Sequence, residues 1–202
     1  INDKLTNLIE LSEISAVFRD SEFIVADNGS CDNTVDIAQS FSQVKVLEVG
    51  RVGKYLAVHH AVSKLDSDWT ILSDANVMVR AVDSKSLSEL FHEEDTVVVY
   101  GLIRRASTTF VNVGDFPPVK IPFRLLLDVK FGYSSGAYGG LYAVRTSVLK
   151  KAISLPPVQN DDYFIAVSAT QYGIPNIGQL YGEEIESMTF RDEFFRKMRD
   201  AQ

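Results

Sequence analysis

The 202-residue chain has one cysteine, one tryptophan, six prolines and a deficit of positive charge. A single cysteine, Cys31, cannot close an internal disulfide, so nothing marks a disulfide-built secreted scaffold. Lys and Arg number 20 against 27 Asp and Glu, a net charge of −7. A duplex-binding domain carries a basic stripe that neutralises phosphates, and this balance supplies none, so no nucleic-acid partner is expected. No apolar run reaches the ~18 residues that span a bilayer, and no signal-peptide pattern opens the chain. No G-x-G-x-x-G opens a helix, which argues against a dehydrogenase. Repeats and low-complexity tracts are also missing. With 46% hydrophobic and 23% charged residues the composition is that of an ordinary globular domain, neither a disordered tail nor a collagen-like chain.

Both ends read as cut. The chain starts at Ile1 without Met and enters helical periodicity at once, with Leu5, Leu8, Ile9 and Ser12 on one face and Asp3, Lys4, Glu10 and Glu13 on another. It closes in a charged stretch, Arg191 to Gln202, without a Gly or Pro stop. A fragment of a longer protein is expected, forming one domain over residues 1–202.

Strands and helices alternate in the first half. The apolar run Glu22 to Ala26 reads as a strand that stops at the turn cluster Asp27-Asn28-Gly29-Ser30. Ser30 can cap the helix that follows, Asp32 and Asp36 suit its first turns, and Val35, Ala38 and Phe41 give it an apolar face. A strand over Val44 to Val49, a loop over Gly50 to Gly53 and a helix over Lys54 to Leu65 come next. Trp69 to Ser73 reads as a strand ending at Asp74-Ala75-Asn76, Ser86 to Phe91 as a helix, and Thr96 to Gly101 as the strongest strand. Such βαβα alternation predicts a mostly parallel sheet sandwiched by helices. Ligands of such sheets bind beyond the carboxyl ends of the strands, where Asp27 and Asp74 both fall.

The second half changes character. Phe110 to Tyr133 holds three of the six prolines and no clean period. The small, aromatic stretch Tyr133 to Gly140 leads into a strand over Leu141 to Val144. Asn160-Asp161-Asp162 precedes a helix over Tyr163 to Gln171, Gly173-Ile174-Pro175 breaks it, and Ile177 to Met188 reads as two short strands. The economical reading is one domain of two halves, 1–100 and 101–202, with the second half facing substrate.

Read in order, these motifs resemble glycosyltransferase family 2, the inverting nucleotide-sugar transferases of GT-A fold. Asp27-Asn28-Gly29-Ser30-Cys31-Asp32-Asn33-Thr34 is similar to the family's Asp-Asp/Asn-Gly-Ser-x-Asp-x-Thr, and Gly53-Lys54 to its Gly-Lys before a helix. Ser73-Asp74-Ala75-Asn76 resembles its D-x-D signature, Gly139 to Arg145 its glycine-rich acceptor strand, Asn160-Asp161-Asp162 its Glu/Asp-Asp motif, and Glu193 to Arg199 its closing basic helix. The resemblance runs from Glu22 to Arg199. It implies a GT-A-like α/β domain whose first strand is missing here.

The resemblance also implies roles. Asp27 and Asn28 would bind the nucleotide, with Asp27 accepting the imide N–H of uracil; from the residue alone, Asp27 is equally a turn cap. Asp74 and Asn76 would hold Mg²⁺ or Mn²⁺ against the donor diphosphate, with Asn76 bringing no charge where the family has Asp. Capping the next element is the alternative. Asp162 would be the base that takes the acceptor hydroxyl's proton, with Asp161, Gly139 and Gly140 on the acceptor side; two adjacent acids at a helix start are otherwise ordinary caps. Lys54, Arg196 and Lys197 are candidate diphosphate contacts, or a solvated face. His59-His60 reads as a helix-surface pair, Cys31 as a small buried residue, and Tyr133, Tyr138 and Tyr142 as sugar-stacking or packing aromatics.

The expectation is therefore transfer of a sugar from a UDP-sugar to a hydroxyl acceptor, itself a sugar or lipid-linked, with inversion. Such a step serves polysaccharide or glycolipid synthesis in the cell envelope, in a full-length protein at the cytoplasmic face of a membrane. The family's processive members carry a Gln-x-x-Arg-Trp motif, and the closing helix here has no Trp. Two rivals stand: a sugar-nucleotide pyrophosphorylase-like nucleotidyltransferase, which the Asp161-Asp162 motif fits poorly, and a non-catalytic nucleotide- or glycan-binding domain, which Asn76 allows.

Overall fold

The computed structural model describes residues 1–105, 121–137, 140–153 and 161–185. Helices α1 (Asn2–Ile14) and α2 (Ala16–Arg19) lead into β1 (Phe23–Asp27), α3 (Thr34–Gln39), β2 (Val44–Glu48), α4 (Lys54–Val62) and β3 (Trp69–Ser73). Then come β4 (Val77–Val82), α5 (Ser84–His92), β5 (Thr96–Arg105), α6 (Phe123–Phe131), β6 (Leu141–Arg145), α7 (Thr146–Ala152), α8 (Asp161–Ala169) and β7 (Ile174–Glu184).

The strands form two sheets. β1 and β2 pair in parallel, and a five-stranded sheet runs β3-β6-β5-β7-β4. The α/β reading of the sequence holds, but parallel pairing is less extensive than the alternation predicts. Only β1–β2 and β5–β7 are parallel, whereas β3–β6, β5–β6 and β4–β7 are antiparallel. The reason lies in β6, which enters between β3 and β5 against their direction, and in β4, which leaves β3 after three residues to join β7 at the sheet edge.

β5 is the middle strand, and its burial explains its sequence. Val97 to Tyr100 are each at most 2% exposed, because both faces are covered and no alternation with polar residues is tolerated. One face meets α4, α7 and α8 through Val62, Leu149, Ile165 and Ala166. The other meets α1, α2 and α5 through Leu11, Phe18 and Leu87. Asp83 starts α5 by accepting from the amides of Lys85 and Ser86, both at 3.1 Å. Gly101 has to be glycine, since a Cβ there would stand 2.7 Å from the Leu141 carbonyl oxygen.

Several local expectations are revised. Ser30 caps nothing: Asn33 precedes α3, and the Ser30 amide turns back to Asp27. The two short strands expected after Ile177 are one strand, β7, with a register shift against β5 between Tyr100 and Leu102. Its stretch around Pro175 shows a second shift, between Thr96 and Val98, as a residue without an amide hydrogen disturbs a ladder.

β1 and β3 are both half-buried along their length. β1 pairs with β2 alone and β3 with β6 alone, and consecutive residues of each, Phe23 to Ala26 and Trp69 to Ser73, line one cavity of about 1260 Å³. Successive side chains on a strand point to opposite faces, so lining by consecutive residues means that strand edges front the cavity. Among the described residues no helix is long and apolar enough to cross a membrane.

Candidate active site

The site assembles where β1, β2 and β3 end. β1 stops at Asp27, only 6% exposed, whose carboxylate accepts from the amides of Gly29 (3.0 Å) and Ser30 (3.2 Å). Hydrogen bonding from Ser30, and then from Gly29, holds the Asp27 acid below the ordinary carboxylate value against the opposing effect of burial. The turn-capping role is thus realised directly. Asp32 accepts from the Thr34 amide at 3.0 Å and sets the start of α3, as expected of it.

Asn28 ties this turn to the next one. Its Oδ1 accepts from the amides of both Val52 and Gly53 at 2.9 Å, which fixes the loop between β2 and α4. Gly53 adopts φ +90, a conformation that favours glycine, and so starts α4 with Lys54 as its first residue.

Lys54 is the hub. Its Nζ lies 2.9 Å from Asp74 Oδ1 and 3.1 Å from Asp162 Oδ1. Asp74 follows β3, and Asp162 is the second residue of α8. Three candidates from three distant motifs therefore share one ammonium group, with side chains roughly a quarter to a half exposed. Asn28, Lys54 and Asp74 also line the cavity between β1 and β3.

Gly140 shapes the other wall. The Asp74 amide donates to the Gly140 carbonyl at 2.8 Å, and Gly140 sits at φ +69. A Cβ on Gly140 would approach Asp74 Oδ2 to 3.1 Å and Val77 Cγ2 to 3.0 Å, so glycine leaves space beside the carboxylate. Asn76 donates from Nδ2 to Glu184 Oε1 at 3.3 Å, and its carbonyl accepts from the Ile185 amide. A second Asp at position 76 would face Glu184 with like charge, so the neutral amide suits its neighbour.

The chemistry of this donor set fits a small divalent cation. Mg²⁺ is commonly held by one or two carboxylates, with substrate phosphates and water completing the shell. Asp74 offers a partly exposed carboxylate and Asn76 an amide oxygen. Among the described residues no three His, Cys, Asp or Glu side chains gather as ligands.

Other candidates divide. Gly139, Arg196, Lys197 and Tyr138 lie outside the described residues, as does the side chain of Asp161. His59 and His60 are exposed on α4, as expected of a surface pair. Tyr142 is core, 2% exposed in β6, while Tyr133 is exposed and stacked on Phe131 with ring centres 6.3 Å apart. Cys31 is exposed rather than buried, because the turn projects it outward to Arg51 Nη2, 2.6 Å from its sulfur.

A family model described as Glycosyl transferase family 2 matches residues 6–152. The chain belongs to that family. No curated protein matches this family 2 member significantly in sequence. Its fold is GT-A, shared with solved glycosyltransferases at low identity. The mannosyltransferase PcManGT from Pyrobaculum calidifontis, in complex with GDP-Man and Mn²⁺, superposes with a TM-score of 0.72 at 20% identity, over 100% of this chain and 56% of that one. TarS from S. aureus in complex with UDP-GlcNAc gives 0.65 at 15% identity, over 95% and 57%. Glucosyl-3-phosphoglycerate synthase from Mycobacterium tuberculosis, with Mn²⁺, UDP and glucosyl-3-phosphoglycerate, gives 0.57 at 18%, over 100% and 74%. The chain thus spans little more than half of the first two.

Two residues of this family 2 domain escaped the sequence reading. Glu184 closes β7 beside Asn76, in a stretch without a motif. Lys4, assigned to the polar face of α1, is only 3% exposed. Its Nζ donates to Ser73 Oγ at 2.7 Å and to the Val77 carbonyl. Burial lowers its pKa from 10.5 to about 8, and the Asp74 charge opposes that fall. The helical spacing of Lys4 to Leu8 and Leu11 was the available signal, since it puts the lysine on the buried stripe.

Proposed function

We propose that this chain is the catalytic part of an inverting glycosyltransferase that moves a sugar from a UDP-sugar to a hydroxyl acceptor. The observation that carries the reading is the meeting of Asp74, Lys54 and Asp162. A transfer of this kind needs a place for the donor diphosphate, a cation to face its charge, and a base for the acceptor.

Asp27 and Asn28 shape the turn that receives the nucleotide. Lys54 contacts the diphosphate, a role that the motif resemblance extends to Arg196 and Lys197. Asp74 and Asn76 would hold Mg²⁺ or Mn²⁺, which supplies charge neutralisation for the departing diphosphate. PcManGT and glucosyl-3-phosphoglycerate synthase, both solved with Mn²⁺, support this choice of cation. Asp162 takes the proton from the acceptor hydroxyl as its oxygen attacks the anomeric carbon and the carbon–diphosphate bond breaks. Attack from the face opposite the leaving group inverts the centre. Gly140 keeps the wall beside Asp74 low for the acceptor, and the motif resemblance assigns Gly139 and Asp161 to the acceptor side.

The acceptor we infer is a sugar or a lipid-linked sugar, in polysaccharide or glycolipid synthesis at the cytoplasmic face of a membrane. Support comes from α6 and the turn after it, where Phe123, Phe131 and Tyr133 are 72%, 63% and 48% exposed and Lys130 lies over the Phe131 ring. Aromatic rings with a cation at their rim suit the interface of a bilayer.

Donor turnover followed by proton NMR tests the reaction. With UDP-α-glucose or UDP-α-N-acetylglucosamine and Mn²⁺, the first product released to an added sugar acceptor or to water has the β configuration. An α product contradicts inversion, and an untouched donor contradicts catalysis.

A further inference from the structure

Asp74 is paired with Lys54, and a second lysine, Lys4, bonds the residues on either side of the turn that carries it. The second lysine comes from the first turn of α1. Its ammonium donates to Ser73 just before Asp74-Ala75-Asn76 and to Val77 just after it, so it staples both ends of the three-residue turn. One turn further along α1, Asn7 exchanges hydrogen bonds with both the amide and the carbonyl of Val79, each at 2.9 Å. The helix therefore grips the outer edge of β4, and Lys4 is held in place by more than its own bonds.

A buried ammonium is a costly way to satisfy two acceptors, which a neutral donor could serve as well. What a neutral donor could not supply is charge. Lys4 lines the same cavity as Asn28, Lys54 and Asp74, residues to which the proposed function gives the nucleotide, the diphosphate and its cation. We propose that Lys4 is a positioning residue that fixes the Asp74 turn and supplies buried positive charge to the donor diphosphate. This rests on the donor reading above.

The role separates into two measurable parts. The charge acts on an anion and not on a neutral nucleoside, whereas loss of fold acts on both. Affinities of the 202-residue chain and of Lys4→Met are compared for uridine, guanosine, UDP and GDP with Mn²⁺ by calorimetry, alongside the melting curve of each protein. For whichever diphosphate the wild type binds more tightly, Lys4→Met weakens binding about tenfold, the scale of one charge acting over several ångströms at an effective dielectric near 20. The matching nucleoside changes less than twofold. An unchanged ratio of diphosphate to nucleoside affinity overturns the role of Lys4. A wild type that binds neither diphosphate overturns the donor reading and this inference together. If Lys4→Met does not fold, Ser73→Ala decides, because it keeps the charge and removes one arm of the staple. A two- to fivefold loss of diphosphate affinity, with the nucleoside unaffected, supports the inference, and no loss overturns it.

Discussion

The Lys54 ammonium stands 3.1 Å from the Asp162 carboxylate although 108 residues separate them in the chain. The contact joins the start of α4 to the start of α8, and so the first half of the chain to the second. A base at Asp162 is useful only if it faces the reacting carbon, and with Lys54 on the diphosphate, as proposed, this contact would put it near that position.

Asp162→Asn gives the sharpest difference between base and cap. Asparagine caps a helix about as well as aspartate, so stability should hold. Turnover should fall by roughly 10²–10⁴-fold, the usual value of a general base, with donor affinity nearly intact. Asp161→Asn should lose less. Steady-state kinetics beside a donor titration check both, and full activity in Asp162→Asn would leave that residue as a cap.

Lys54→Met separates binding from folding. Its ion pairs are half-exposed and screened by water, so their loss should move stability by no more than about 1 kcal/mol. A charged hydrogen bond to a diphosphate is worth more, and donor affinity should fall roughly tenfold or further. Thermal melting and calorimetry read the two effects separately.

Much of this was legible in the sequence, for local reasons. β1, β2, β3 and β5 stand out because apolar runs end at turn residues; Asp27 and Asp74 occupy motif positions at two of those ends, and Lys54 and Asp162 motif positions at helix starts. Neither Lys4 nor Glu184 was found, since each owes its place to tertiary packing. Lys4 looks like one more polar residue on an amphipathic helix until Ser73 and Val77 come to meet it. β4 was missed because Val77 to Val82 follows β3 at once and pairs with a strand about a hundred residues later. The extent of antiparallel pairing was hidden for the same reason.

Gly140→Ala should damage both fold and site. A left-handed conformation costs a side-chain-bearing residue about 1–2 kcal/mol, and the new methyl would crowd the Asp74 carboxylate. Chemical denaturation should show that loss, and nucleotide affinity in Mn²⁺ should drop in the fraction that remains folded. Unchanged affinity would remove Gly140 from the site wall.

Lys4 should leave a signature in the pH dependence of stability. Its folded pKa is about 8 against 10.5 for the free side chain. Below 8 both states carry the proton, and the burial cost is present in full. Between 8 and 10.5 the unfolded chain holds a proton that the folded chain has shed, so this group makes stability rise with pH. The slope is at most about 1.4 kcal/mol per unit. Urea unfolding of wild type and Lys4→Met across that window should therefore show the wild type gaining on the variant as pH increases. Parallel profiles would mean that Lys4 is not a buried cation.

Calorimetric titration of UDP and GDP into the chain, with and without Mn²⁺ and repeated with Asp74→Ala, tests the central claim most directly. The expected result is nucleotide binding that strengthens with Mn²⁺ in the wild type, tighter for UDP than for GDP, and loses its metal dependence in Asp74→Ala. Binding of neither nucleotide in the presence of Mn²⁺, or metal-dependent affinity that survives in Asp74→Ala, would contradict it.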